Sequence, residues 1–170
     1  MTDTMTTALQ DDVEEHIAAV AEGYELLLKK DPPVEAYLNL ACLYWRSTDF
    51  GFASYYNLTD TFYLRAGERC YEVLELATKV FPMCPEVVFW QRYFAWADRD
   101  VAFSDEECLH ITQMPGSSLV PFFRLYLPPQ RKYEKEALTL LAECRALPTI
   151  KNGYIVPILE KKLRTTKFDQ

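Results

Sequence analysis

Apolar residues recur at three- and four-residue steps along most of the chain, which is the spacing of an amphipathic α-helix. No segment alternates between apolar and polar positions as a half-buried β-strand does. The pattern therefore predicts an all-α fold of about six to seven helices arranged as antiparallel hairpins. The predicted helices cover residues 11–30, 33–47, 60–80, 85–97, a short stretch between Ser104 and Pro115, 131–146 and 152–164.

Local signals set several helix boundaries. The sequence "SDEE", from Ser104 to Glu107, predicts a capping box in which each end residue bonds to the backbone of the other. Thr59 or Asp60 is the expected cap of the third helix, and Asn152 is the expected cap of the last one. Pro157 lies inside that last helix and is expected to kink it or delay its start.

The chain of 170 residues fits one domain, predicted to cover residues 11–170 after a flexible N-terminal segment, 1–10. Within it, the helix at 85–97 is apolar nearly all round, which indicates either central burial or one buried face together with a second, adhesive face. The helix at 60–80 carries a narrower apolar stripe, predicted to comprise Leu64, Cys70, Tyr71, Leu74 and Ala77.

Charge is unevenly distributed along the chain. Residues 1–116 hold 8 Lys/Arg and 20 Asp/Glu, a formal charge of −12, whereas residues 117–170 hold 10 and 5, a formal charge of +5. An acidic body disfavours binding to nucleic acid, whose phosphates repel it, and favours a basic protein partner. The same distribution is also consistent with solubility and internal charge balance alone.

The five cysteines are widely spaced and form no CxxC motif, which is typical of reduced thiols that act as small core residues. The chain has no run of about 18 apolar residues and no signal-peptide pattern at its N-terminus. These features predict a cytoplasmic protein without a membrane partner.

The second predicted helix, "EAYLNLACLYWRSTDF", resembles the first helix of a tetratricopeptide repeat. The resemblance lies in the spacing of its large and small packing residues, Tyr37, Leu40, Ala41, Tyr44 and Phe50. Three further segments resemble the second helix of that repeat: "VAEGYELLLKKDP", "CYEVLELATKVFP" and "ALTLLAECRALP". The similarity covers about residues 11–97 and one later helix, and it implies TPR-like hairpins.

The repeat is degenerate in this chain. The family repeats every 34 residues, but the segment "FGFASYYNLTDTFYL" is inserted between the second and third helices. Gln91 also stands where the family places a small residue.

What the resemblance implies for binding is a groove lined by first-helix residues. These are Leu38, Asn39, Cys42, Trp45 and Arg46 in the second helix, and Phe89, Arg92 and Trp96 in the fourth. Whether Trp90 and Trp96 lie in the core or at an interface stays open at this point.

Sequence motifs for catalysis are absent: there is no G-x-S-x-G, no P-loop and no G-x-G-x-x-G. The segment Glu106–His110 brings together carboxylates, a thiol and an imidazole, but a tetrahedral metal site needs four ligands. We therefore expect no metal, no cofactor and no catalytic residue. An enzyme that uses the Glu106–His110 segment is the less favoured alternative.

The sequence thus predicts a non-catalytic protein-binding module. The most concrete hypothesis is a bacterial immunity-type protein that binds and neutralises a cognate toxin. A secretion chaperone or adaptor with TPR-like hairpins is the alternative among binding proteins.

Overall fold

A computed structural model describes residues 3–128 and 132–168 and shows only helices and connecting turns in them. This confirms the all-α prediction. The described residues contain nine helices rather than six or seven. They are α1 (Asp3–Leu28), α2 (Val34–Ser47), α3 (Phe50–Tyr55), α4 (Asp60–Val80), α5 (Pro85–Arg99), α6 (Asp105–Thr112), α7 (Pro121–Leu125), α8 (Glu134–Ala146) and α9 (Ile150–Phe168).

The sequence predicts no helix at α3, and it predicts an irregular or only partly helical segment at 117–130, where α7 lies. Helix α3 lies in the inserted segment, and α7 lies in a proline-interrupted stretch where Pro121 occupies the first turn. Proline is tolerated there because the first helical N–H groups have no partner within the helix. Helix α1 already begins at Asp3, so residues 3–10 of the segment predicted to be flexible are helical. Residues 1 and 2 lie outside the described residues.

Two compact units make up the chain, residues 1–77 and residues 78–170, and the division falls within α4. In unit 1, α2 packs against α1 and α3. In unit 2, α5 packs against α6 and α7, α6 against α7, α7 against α8, and α8 against α9. No helix in the described residues is both long enough and apolar enough to cross a membrane.

Helix α2 is almost entirely buried, because apolar side chains, some large and some small, occupy all of its faces. All residues from Ala36 to Tyr44 are buried, including the predicted packing positions Tyr37, Leu40 and Ala41. In unit 2, six of the fifteen residues of α5 are buried. Its side chains form an aromatic cluster with rings from three other segments: Phe89, Trp90, Tyr93, Phe94, Phe103, Phe123 and Tyr154. Trp90 is fully buried and is therefore a core residue.

The predicted stripe of α4 is only partly correct. Cys70, Leu74 and Ala77 are buried, but the side chain of Leu64 is 69% exposed. The structure covers the later turns of α4 and leaves the turn around Leu64 open to solvent. Periodicity predicts which residues share a helix face, but it does not predict how far along the helix that face is covered.

The capping signals are confirmed for α6 and revised for α9. Ser104 Oγ accepts the N–H of Glu107 at 3.1 Å, and the Glu107 carboxylate accepts the N–H of Ser104 at 3.0 Å. Helix α9 begins at Ile150, before the predicted Asn152, because Thr149 Oγ1 accepts the N–H of Asn152. Asn152 instead donates through its side chain to the carbonyl of Leu147, and the helix continues through Pro157.

Candidate functional site

Half of the predicted groove residues are buried. Leu38, Cys42 and Phe89 are at most 1% exposed, and Asn39 is 4% exposed. The Asn39 amide donates to the carbonyl of Glu35 at 2.8 Å, so it serves its own helix. A side chain without accessible surface cannot contact a partner, and the prediction of partner contacts is corrected for these four residues.

The other four predicted residues are half-buried and belong to two different units. In unit 1, Trp45 and Arg46 lie near the end of α2, and the Arg46 guanidinium stacks 4.9 Å from the centre of the Phe52 ring. This contact joins the predicted groove residues to the inserted segment. Both side chains keep exposed surface, and partner contact by Trp45 and Arg46 stays a prediction.

In unit 2, Arg92 and Trp96 contact segments that follow α5 in the chain. Arg92 Nη2 lies 2.7 Å from the Glu107 carboxylate and 2.6 Å from the carbonyl oxygen of Ala102. The guanidinium of Arg124 lies over the ring of Trp96, with its central carbon 4.5 Å from the ring centre. Both side chains keep some exposed surface, so partner contact by these two residues also stays a prediction.

The largest exposed aromatic side chains of unit 1 lie on α3 and the start of α4, in the inserted segment. Phe50 is 84% exposed and Tyr55 is 75% exposed, and Leu64 and Tyr63 are also open to solvent. Phe50 and Tyr63 line one depression, and Tyr55 and Leu64 are exposed in the same inserted segment. Exposed apolar groups that lie together on a folded protein often mark an interaction site. We call the four residues Phe50, Tyr55, Tyr63 and Leu64 the α3–α4 patch.

Helix α3 carries Phe50 and Tyr55, and it is held in place although it has only six residues. At its start, Asp49 Oδ1 accepts the N–H of Phe52 at 2.8 Å. At its end, the N–H of Leu58 bonds to the carbonyl of Ala53 and that of Asn57 to the carbonyl of Ser54. This is a Schellman motif, and Asn57 supplies its left-handed residue with φ 52°. Capping at both ends stabilises a helix that is too short to be stable by itself.

A shallow depression of about 410 Å³ opens beside this helix. Its lining combines two aromatic residues, two aliphatic residues, one acidic residue and two small polar residues: Phe50, Ala53, Ser54, Asn57, Leu58, Asp60 and Tyr63. The Thr59 hydroxyl oxygen accepts the N–H of Phe62 and so caps the start of α4. The sequence signal that could have found this site is the density of Phe and Tyr in a segment without a helical stripe.

Charge separates along the same division as the two units. Unit 1 holds 5 Lys/Arg and 14 Asp/Glu, a formal charge of −9, whereas unit 2 holds 13 and 11, a formal charge of +2. The acidic body predicted from the sequence is therefore mainly unit 1, which also carries the α3–α4 patch.

A second depression in unit 1, of about 350 Å³, is lined by Arg65, Glu68, Arg69 and Glu72. Arg69 bonds to Glu72 at 2.7 Å and also holds Glu25, so much of its charge is balanced within the unit. The lining has two arginines and two glutamates, so this depression offers a partner no net charge.

The Glu106–His110 segment does not have the geometry of a nucleophilic site. The Cys108 thiol is fully buried and donates to the carbonyl of Pro121 at 3.1 Å. Burial raises the pKa of Cys108 to about 12, so the thiolate that a nucleophile requires is not formed near neutral pH. Glu107 is engaged by the N–H of Ser104 and by Arg92. Among the described residues, no group of three or more His, Cys, Asp or Glu side chains is placed to hold a metal ion.

Comparison with known proteins adds no relative to this description. No protein-family model matches the chain, and no curated protein and no solved structure match it significantly.

Proposed function

We propose that this chain is a non-catalytic protein-binding module that captures a basic protein partner through unit 1. The observation that carries the proposal is the α3–α4 patch, a set of strongly exposed aromatic and aliphatic side chains on the unit with a formal charge of −9. Aromatic side chains are enriched at binding hot spots, and opposite charge accelerates the encounter of two proteins.

The most concrete form of the proposal is an immunity-type protein of bacteria that neutralises a cognate toxin, with a TPR-like arrangement of helices. Small size, an acidic unit and the absence of a catalytic motif support it. Five free cysteines support a cytoplasmic location, where thiols stay reduced. In this form, Trp45 and Arg46 extend the contact surface from the patch, because Arg46 stacks on Phe52 of α3.

The test is to capture binding partners from a lysate of the organism that encodes this chain, with the wild type and two matched variants. The first variant combines Phe50→Ser with Tyr55→Ser and removes the most exposed rings of the patch. The second, Leu147→Ser, is the control and removes an apolar side chain of unit 2 that is 64% exposed. We expect one stoichiometric basic protein to bind the wild type and Leu147→Ser, and not the double variant. Circular dichroism and thermal melting check that each variant is folded. Equal capture by all three proteins would contradict the proposal.

The captured protein then decides between the two binding classes. An immunity protein is indicated if the partner arrests growth when it is expressed alone and growth recovers on co-expression. Several unrelated extended clients would instead indicate a chaperone or adaptor.

Binding kinetics give an independent check with the purified partner. Because exposed charges are screened over about 8–10 Å near physiological salt, raising the salt concentration should lower the association rate. Dissociation depends on desolvated anchors and should change little with salt. The double variant with Phe50→Ser and Tyr55→Ser should instead dissociate faster, while its association rate should depend on salt as that of the wild type does.

A further inference from the structure

We infer that the depression beside α3 is a subsite for one basic side chain, an arginine or a lysine, of the partner. This inference rests on the proposed function and specifies how unit 1 recognises its partner. Asp60, Phe50 and Tyr63 all line the depression. A carboxylate and aromatic faces are the two kinds of group that attract a guanidinium or an ammonium in proteins.

Size and composition favour a side chain over a whole helix. At about 410 Å³, the depression lies near the lower end of the roughly 300–1,000 Å³ range of small-ligand pockets. It is open at the surface, so a long flexible side chain can enter it from a docked protein. The Ser54 hydroxyl and the Asn57 side-chain amide also line it and offer acceptors for N–H groups.

The charges around the depression leave the Asp60 carboxylate available. No described residue forms an ion pair with Asp60, which is exposed. The neighbouring carboxylate, Asp49, is used by the backbone N–H of Phe52. Among the cations of this unit, Arg46 lies over Phe52, which is not part of the lining, and Arg65 lines the other depression. An incoming cation would therefore supply the missing partner of Asp60.

The backbone of the subsite is already fixed before a ligand enters. Asp49 caps the start of α3, Asn57 ends it, and Thr59 begins α4, so the segment that carries the lining is tied at three points. A preformed site loses less conformational entropy when it binds.

The test uses the full-length protein and two short peptides as probes. The peptide acetyl-Gly-Arg-Gly-amide is titrated into ¹⁵N-labelled protein, and its citrulline counterpart, which keeps the shape but lacks the charge, is titrated in parallel. We expect the arginine peptide to shift backbone amides between residues 50 and 63, with a Kd of about 1–10 mM, and to bind at least about threefold more tightly than the citrulline peptide.

Three variants locate the binding. Asp60→Asn and Phe50→Ala should each weaken the arginine peptide by about threefold or more. Glu68→Gln, which removes an exposed carboxylate of the other depression in unit 1, should leave its affinity unchanged. If the citrulline peptide binds equally, or if Glu68→Gln weakens binding as much as Asp60→Asn, the subsite is refuted. Absence of shifts between residues 50 and 63 refutes it as well.

Failure of the subsite and failure of the proposed function give different results. A partner that depends on Phe50 and Tyr55 but not on Asp60 would uphold the binding function of the α3–α4 patch and refute the subsite. If the arginine peptide binds specifically but no protein partner depends on the patch, the subsite is upheld and the proposed binding function is refuted.

Discussion

Arg69 of α4 holds the carboxylate of Glu25 of α1 with two hydrogen bonds, although the residues are 44 positions apart in the sequence. Arg69 Nε lies 2.7 Å from Glu25 Oε1, and Nη2 lies 2.8 Å from Oε2. The hydroxyl of Tyr44, on α2, donates to the same Oε1 at 2.9 Å. One carboxylate thus connects three helices of unit 1. Burial and the hydrogen bond to Glu25 raise the pKa of Tyr44 to about 12, so this hydroxyl remains a donor at neutral pH.

Removing Arg69 should destabilise unit 1 more than removing a neighbouring arginine. Arg69→Met leaves the Glu25 carboxylate partly buried without its strongest partner, and we expect a loss of about 1–3 kcal/mol in the free energy of unfolding. Arg65→Met, at an exposed position one turn earlier, should cost less than about 0.5 kcal/mol. Urea denaturation measures both values. Equal losses for the two variants would show that the Glu25–Arg69 pair contributes little.

The same carboxylate should make stability depend on acidic pH. The hydrogen bond from Arg69 is the main cause that lowers the pKa of Glu25 from 4.5 in the folded state. A lowered folded pKa adds stability that is fully present above pH 4.5 and is lost as the pH falls through the folded value.

Glu25→Gln removes this contribution. The difference in unfolding free energy between wild type and Glu25→Gln should therefore be constant from pH 7 to about 5 and shrink below pH 4.5. Urea midpoints measured between pH 7 and pH 3 give this difference. A difference that stays constant down to pH 3 would mean that the ionised carboxylate is not the stabilising form.

Truncation of three leucines should separate buried positions on α2 and α4 from an exposed position on α4. Leu40 and Leu74 are at most 1% exposed, so Leu40→Ala and Leu74→Ala should each cost about 2–5 kcal/mol. Leu64→Ala, on the same helix as Leu74, should cost less than about 0.5 kcal/mol because Leu64 is 69% exposed. Equilibrium unfolding measures all three. A large loss at Leu64 would support the stripe expected from periodicity instead of the structure.

Thiol reactivity should distinguish one cysteine from the other four. Cys84 is half-buried, whereas Cys42, Cys70, Cys108 and Cys144 are buried. Burial also raises the pKa of Cys108 to about 12 and that of Cys144 to about 11.

With a disulfide reagent at pH 8, we expect one thiol to react quickly in the native protein and the remaining four only after unfolding. Cys84→Ser should abolish the fast reaction and serves as the control. A fast reaction that persists in Cys84→Ser, and that disappears in Cys108→Ser, would revive a nucleophile in the Glu106–His110 segment.

Local signals in the sequence were sufficient for the helical class and for most helix boundaries. The capping box of Ser104 and Glu107 and the proline at the start of α5 act within one turn of their own position. The short helix α3 escaped prediction because its stability comes from capping by Asp49 and Asn57 and from packing against α2, and not from an apolar period of its own.

The sequence alone determined that the chain is helical, that its charge is uneven and that α2 and α5 carry more apolar surface than one face can use. Only the tertiary structure decided where that surface goes. It buried Leu38, Cys42 and Phe89, which the resemblance placed in a groove, and exposed Phe50 and Leu64. The physical reason is that helical periodicity is a property of neighbouring residues, whereas burial depends on which distant segments cover a face.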